Sequence, residues 1–357
     1  MTVVAAYNHF GCGIIIGDIL INGPVSGEKP PKTSLPTLGN MEDFFGGAWG
    51  IHRSSQKVCI ISDYCALAWA GSQLHARVFL MRISRLSKKI KITKNIIERI
   101  FAKCVPGEIS IVGAIYENQR MHTFGFDCNK LECQTLGEVH YAGSGASIIE
   151  DYVGIVKEMA LKKPGIDEIC ARGVSLALTQ VAHLLNAEFR KGSGAESIFE
   201  FFGGGYEIAA FYDGKFQKLT SNFVFHNVSA LNGILKVGNP SLIISQTYSK
   251  EKLRFEVVSP QGDFDDDIAR HEMIEIASFL DRAPEHPNLS RDSSLNWACF
   301  VFVDNFKFLG NQLISLIVKS ETPPIEFNVI DGSFDFWYSE DAGEQISDFL
   351  TRVYLND

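Results

Sequence analysis

Short apolar runs separated by polar turns open the chain. Val3 to Tyr7 and Gly13 to Ile21 flank Asn8-His9-Phe10-Gly11, a pattern that predicts two strands joined by a tight turn. Gly23 to Trp49 is rich in proline and glycine, shows no sustained period and reads as a long loop. Val58 to Ile61 and Cys65 to Trp69 predict a second hairpin around Ser62-Asp63-Tyr64. From Gln73 to Leu86 the spacing becomes helical, with Leu74, Val78, Met81 and Ile83 as the apolar positions. A shorter helix is expected over Asn95 to Cys104. Strands follow at Ile109 to Tyr116, Met121 to Cys128 and Val139 to Ala142.

Two longer helices are then predicted, Ala146 to Leu161 and Ile166 to about Phe189, split by Lys163-Pro164-Gly165. Tyr206 to Tyr212 and Lys215 to Leu219 form a hairpin around Asp213-Gly214. Strand groups separated by helix pairs predict an α+β fold, a four-layer αββα sandwich of two antiparallel sheets flanked by helices. Beyond Ser221 the pattern is richer in strands, at Leu242 to Gln246, Leu253 to Val258, Ala298 to Val303 and Gln312 to Val318. Helices are expected there over Asp266 to Leu280 and Gly343 to Val353. We therefore expect a core over 2–219 and a strand-rich C-terminal extension, or an elaboration of that core, over 220–357.

Composition narrows the classes. With 46% hydrophobic and 21% charged residues, the chain can bury a core without disulfides or metals. Its formal charge of -9 argues against non-specific nucleic-acid binding, which needs a basic surface. Eight cysteines are scattered without a CxxC pair, and no His spacing completes a zinc pattern, so no metal or cofactor is expected and the thiols read as reduced. No signal-peptide pattern and no membrane-length apolar run is present, so the sequence predicts a cytoplasmic protein without membrane association.

The chemistry begins at Thr2. Aminopeptidases remove Met before small residues, which would leave Thr2 with a free α-amine. That amine has a pKa of about 8 and can act as general base toward its own hydroxyl. Thr2-Val3-Val4-Ala5-Ala6 is followed by Gly13-Ile14-Ile15-Ile16-Gly17-Asp18. Further on, Lys57 precedes a hairpin that ends in Ala70-Gly71-Ser72 and opens a helix, and Gly143-Ser144-Gly145 precedes the second helix pair. In these features, and in their order over roughly residues 2 to 219, the chain resembles the proteasome β-subunit family and its bacterial ATP-dependent relative.

The resemblance implies an N-terminal nucleophile hydrolase with Thr2 as nucleophile. Lys57 would lower the pKa of the Thr2 hydroxyl, and Asp18 would pair with Lys57 and keep it charged. Ser144 would hydrogen-bond the N-terminal amine and help move the proton. An amide near Gly71 would serve as oxyanion hole. The segment between Asp18 and Lys57 is longer than in the family; Lys29 and Lys32 lie nearer to Asp18, but no strand follows them. Where the family often has Asp-x-x-Ser-Gly-Gly, this chain has Glu200-Phe201-Phe202-Gly203-Gly204-Gly205. Glu200 could stand in for the Asp, while the Ser is lost.

Other groups suggest less. Cys12 and His9 sit beside a hairpin turn and read as packing residues. Asp263-Phe264-Asp265-Asp266-Asp267 lacks the glycine and closing glutamate of a calcium loop. Gly203-Gly204-Gly205 precedes a strand and is no phosphate cradle, and His140 reads as a strand residue. The expected function is a threonine-type amide hydrolase, a peptidase acting through an acyl-enzyme. The resemblance further implies a homo-oligomeric ring and an unfoldase or regulatory partner. A catalytically inactive scaffold or partner-binding subunit and a small-molecule amidase stand as alternatives.

Overall fold

The computed structural model describes residues 2–24, 49–159, 161–191, 197, 202–231, 234–249, 252–259, 270–280, 296–304, 313–320, 322–330 and 333–354. Two compact units divide the chain. The first comprises Met1–Thr33, Asn40–Leu219 and Ile276–Pro287, and the second comprises Ser34–Gly39, Thr220–Glu275 and Asn288–Asp357.

In the first unit, strands β1 (Val4–His9) and β2 (Cys12–Asp18) form the opening hairpin. They sit at the centre of a six-stranded sheet with β9 (Asn129–Cys133), β10 (Gly137–Ala142), β11 (Tyr206–Tyr212) and β12 (Lys215–Lys218), in the order β12-β11-β2-β1-β10-β9. Every residue of β2 is buried, as expected of a central strand. A short ribbon pairs β3 (Leu20–Pro24) with β4 (Trp49–Ser54).

A second sheet runs β5 (Val58–Ser62), β6 (Cys65–Gly71), β7 (Ile109–Glu117) and β8 (Arg120–Phe126) in sequence order. Period-two alternation gives β6 two different faces. Ala66, Ala68 and Ala70 pack with Val4, Ala6 and Ile15 of the first sheet, small side chains that let the two sheets approach. Leu67 and Trp69 point the other way, toward Ala76, Phe79, Leu80 and Ile83 of helix α1 (Gln73–Ser87) and Ile97 and Ile100 of α2 (Lys94–Phe101). Helices α3 (Ala146–Glu158) and α4 (Ile169–Lys191) lie against the first sheet, α3 on β9 and β10, α4 on β2 and β11.

The buried stripe of α1 differs from the predicted one. Leu74 is 70% and Val78 64% exposed, while Ala76, Phe79 and Leu80 are buried with Ile83. The stripe that matters is set by which face meets Leu67 and Trp69, and Ala76 is too small to stand out in a hydrophobicity pattern.

The second unit is built on a six-stranded sheet, β16-β15-β14-β13-β17-β18. Its strands are β13 (Ser221–Leu231), β14 (Ile234–Ser249), β15 (Lys252–Ser259), β16 (Arg270–Ile276), β17 (Asn296–Asp304) and β18 (Leu313–Ser320). In it β13–β14, β14–β15 and β17–β18 pair antiparallel, and β13 pairs with β17 in parallel. The hairpin β19 (Ile325–Ile330) and β20 (Ser333–Tyr338) and helix α5 (Glu340–Tyr354) pack Ile325, Ala342 and Leu350 onto Val224, Ile243, Phe300 and Phe302. The helix expected over Asp266 to Leu280 is replaced, in its described part, by strand β16 next to β15. Glu272, Met273, Glu275 and Ile276 favour helix locally, but pairing with a neighbouring strand overrides such a weak preference.

These strands overturn the expected fold class. Strand accounts for 49% of the structure and helix for 29%. The chain is a β-rich fold of mostly antiparallel sheets rather than a four-layer αββα N-terminal nucleophile sandwich. Sequence patterning undercounted strands, missing β3, β4, β9, β13, β19 and β20, because their apolar runs are short or interrupted by polar residues.

Trp69 is 1% exposed and its ring stacks on Phe279 at 4.6 Å between centroids, which ties the segment at Phe279 into the first unit. Trp69→Ala is expected to destabilise the protein by about 3–5 kcal/mol in urea unfolding. In a double-mutant cycle with Phe279→Ala, the two changes should couple by roughly 0.5–1.5 kcal/mol.

Candidate functional site

The end of β2 carries the candidate site. Asp18 is the last residue of that strand, wholly buried, and its backbone amide donates to the Val3 carbonyl at 3.1 Å. Hairpin pairing of Val4 with Gly17 therefore sets Thr2 beside Asp18. The Thr2 hydroxyl donates to Asp18 Oδ1, and the Val3 amide donates to the same oxygen at 2.9 Å. Asp18 Oδ2 accepts from the amides of Leu20 at 3.3 Å and Gly203 at 3.0 Å.

Lys57 enters from the opposite sheet, at the residue before β5. Its Nζ pairs with Asp18 Oδ1 at 2.6 Å, donates to the Leu20 carbonyl at 2.6 Å and donates to the Thr2 hydroxyl. Thr2 is 2% exposed, and Asp18 and Lys57 are 0% exposed. Three residues far apart in the chain thus share one buried hydrogen-bonded set. Burial pushes the Lys57 ammonium below the usual lysine range, and the negative charges of Asp18 and Glu207 pull it back up.

The turn carrying Ser144 reaches the same place. Gly145 donates its amide to the Thr2 carbonyl at 3.2 Å, and Ser144 is half-buried in that turn. Gly143 has φ +105°, and a Cβ there would run into the Thr2 carbonyl, so only glycine lets the turn close on Thr2. Gly71 ends β6, is exposed and has φ +94°. Glu200, Met1, Lys29, Lys32 and the 263–267 acidic run lie outside the described residues. His9 bonds the Thr135 carbonyl through Nδ1 at 3.1 Å, and Cys12 donates to the Phe211 carbonyl at 3.4 Å, each within the first sheet and its edges. His140 lies in β10, with Nε2 3.6 Å from Glu138.

Two buried carboxylates escaped the sequence reading. Glu188 of α4 accepts from the Tyr206 hydroxyl at 2.5 Å and from the Gly204 amide at 3.0 Å. Burial raises its pKa to about 7 against these hydrogen bonds, and the nearby Asp18 charge adds to the rise. Glu207 of β11 is 0% exposed and holds the amides of Lys57 and Val58. The sequence did carry a signal for each. Glu188 continues the buried stripe Val181, Leu184, Leu185, and Glu207 interrupts the apolar strand Tyr206-Glu207-Ile208-Ala209-Ala210.

Among the described residues no three His, Cys, Asp or Glu side chains converge as a metal site. No helix among them is long and apolar enough to cross a membrane. A scan against protein-family models finds no match to this chain, and a search of curated proteins finds none either.

Glu188 makes stability depend on pH in a direction that can be worked out. Its folded pKa of about 7 lies above its ordinary value of 4.5, so the folded protein binds the proton more tightly. The stabilisation is complete below the ordinary value and is lost as pH rises through about 7, a change on the order of 3 kcal/mol. Thermal unfolding of the wild type should therefore show a fall in stability over this interval. Glu188→Gln should lack that component, and parallel profiles for the two proteins would refute the assignment.

Proposed function

We propose that this protein is a threonine-type amide hydrolase, a peptidase in its chemistry, that uses Thr2 as an N-terminal nucleophile once the preceding residue is removed. The observation that carries the reading is the buried set in which the Thr2 hydroxyl contacts both Lys57 Nζ and the Asp18 carboxylate. A hydroxyl becomes a nucleophile when a neighbouring base takes its proton and a neighbouring cation favours the oxyanion. Lys57 supplies that cation, and the freed α-amine of Thr2 supplies the base.

In this mechanism Thr2 Oγ1 attacks the amide carbonyl carbon and its proton passes to the α-amine. The tetrahedral oxyanion is met by a backbone amide at Gly71. Collapse expels the amine, which takes the proton, and leaves an ester on Thr2. Water then releases the acid and regenerates the hydroxyl. In this reading Ser144, on the turn whose Gly145 amide bonds the Thr2 carbonyl, steadies the α-amine. The reading brings with it a cytoplasmic location, a homo-oligomeric ring around the sites and an unfoldase or regulatory partner.

One observation favours a second reading, a non-catalytic scaffold or partner-binding subunit. Thr2 is only 2% exposed, so substrate reaches its hydroxyl only if the surroundings open or the residue before it leaves.

Intact mass after treatment with a peptide epoxyketone separates the two, since that group forms a ring with both the hydroxyl and the free amine of an N-terminal threonine. Wild type should lack Met1 and gain one inhibitor mass, and Thr2→Ala should gain none. Lys57→Ala should cut the labelling rate by at least about a hundredfold, within the range found for positioned acid–base and electrostatic groups. Retained Met1, or loss of Met1 with no labelling, would favour the scaffold.

A further inference from the structure

Glu207 is the least expected charge in the first unit. It lies in β11, is 0% exposed, and has no role in the proposed acyl transfer. Its Oε2 accepts from two consecutive backbone amides, Lys57 at 2.6 Å and Val58 at 3.1 Å. Its Oε1 pairs with Lys218 Nζ at 2.5 Å, and Lys218 also donates to Gln56 Oε1 at 2.5 Å. Gln56 in turn donates to the Ile276 carbonyl at 3.0 Å. Residues 56, 57 and 58 are thus anchored by one polar cluster as they enter β5.

That location has a consequence for Lys57. Strand β5 is the edge strand of its sheet, with β6 as its partner. Upstream, the Ser55 amide donates to the Ile19 carbonyl at 2.8 Å; among the described residues no strand pairs with Gln56 or Lys57, and a carboxylate from the facing sheet takes the amides of Lys57 and Val58 instead. We propose that Glu207 is a positioning residue for Lys57: it fixes the backbone from which the side chain rises and, as a second buried anion beside Asp18, keeps the ammonium charged on Thr2.

The charges facing Lys57 come from several elements. Asp18 of β2 and the Leu20 carbonyl touch its Nζ, and the Thr2 hydroxyl lies between. Glu207 reaches it from β11 through the backbone. Lys218 of β12 faces Glu207 and moderates its charge, while Glu188 of α4 lies near Asp18. Burial works against the Lys57 charge, and Glu207 acts with Asp18 to restore it. One anion alone would leave Lys57 and Lys218 sharing a single compensating charge.

The inference rests on the Thr2–Asp18–Lys57 reading, and its test is chosen to separate the two. Lys57 Nζ is followed by pH titration in NMR on protein with 15N-labelled lysine, in wild type, Glu207→Gln and Lys218→Gln. Epoxyketone labelling rates are measured on the same samples. Glu207→Gln keeps a carbonyl oxygen for the two amides and removes the charge. The Lys57 midpoint should fall by about one pH unit, and the alkaline limb of labelling should move down with it. Lys218→Gln, which keeps a donor on a partly exposed site, should move the midpoint the other way. A Lys57 midpoint unchanged in both variants overturns the proposal. Labelling of neither wild type nor variants, with the midpoint still shifting, overturns the hydrolase reading and upholds the hold of Glu207 on Lys57.

Discussion

A lysine ammonium with no exposure to water is the constraint on which the first unit turns. Removing such an ion from solvent costs several kcal/mol even after relaxation, and only close anions and hydrogen-bond acceptors offset it. Lys57 finds Asp18, the Leu20 carbonyl and the Thr2 hydroxyl at its Nζ. None of these is near it in sequence. The end of β2, the segment after it, the residue before β1 and the entry to β5 must therefore all arrive at one point, and the two facing sheets are what bring them there.

The backbone around that point is shaped by the same demand. Asp18 alone does not close the cluster, and the glycines at 203 and 204 turn their amides toward Asp18 and Glu188. The turn at 143 to 145 closes on the Thr2 carbonyl because Gly143 presents no Cβ. Small residues recur in the sheets for a related reason. Ala66, Ala68 and Ala114 let the sheets approach, so that a side chain from one can reach a carboxylate in the other.

Much of this was legible in the sequence and some was not. The hairpin Val4 to Asp18 was readable because apolar runs flank a polar turn; Asp18 was singled out by the family resemblance, and its place beside Thr2 is a matter of the register the structure adds. Lys57 was assigned by its downstream context, and the structure sets its Nζ against Asp18. Glu188 and Glu207 were missed because a single carboxylate in a helix or strand reads as a solvent-facing residue; only its position on an apolar stripe gives it away. The α1 stripe failed for the opposite reason, since Leu74 and Val78 are large and apolar yet exposed. The fold class failed where non-local pairing decides. Arg270 to Ile276 has the composition of a helix and takes its place beside β15 because a strand edge was there to be met. Local pattern carries no record of that edge.

The hydrogen bonds also divide the roles within the cluster. Asp18 Oδ1 accepts from the Thr2 hydroxyl, the Val3 amide and Lys57, and Oδ2 accepts from Leu20 and Gly203. A carboxylate offers about four lone-pair sites, so five donors leave it saturated. Asp18 is therefore the hub that holds Thr2, Lys57 and the chain at Gly203 in one place. In the proposed mechanism the proton leaving Thr2 passes to its α-amine, which is free only when no residue precedes it. That proposal makes the chemistry of the Thr2 hydroxyl depend on a peptide bond being cut first.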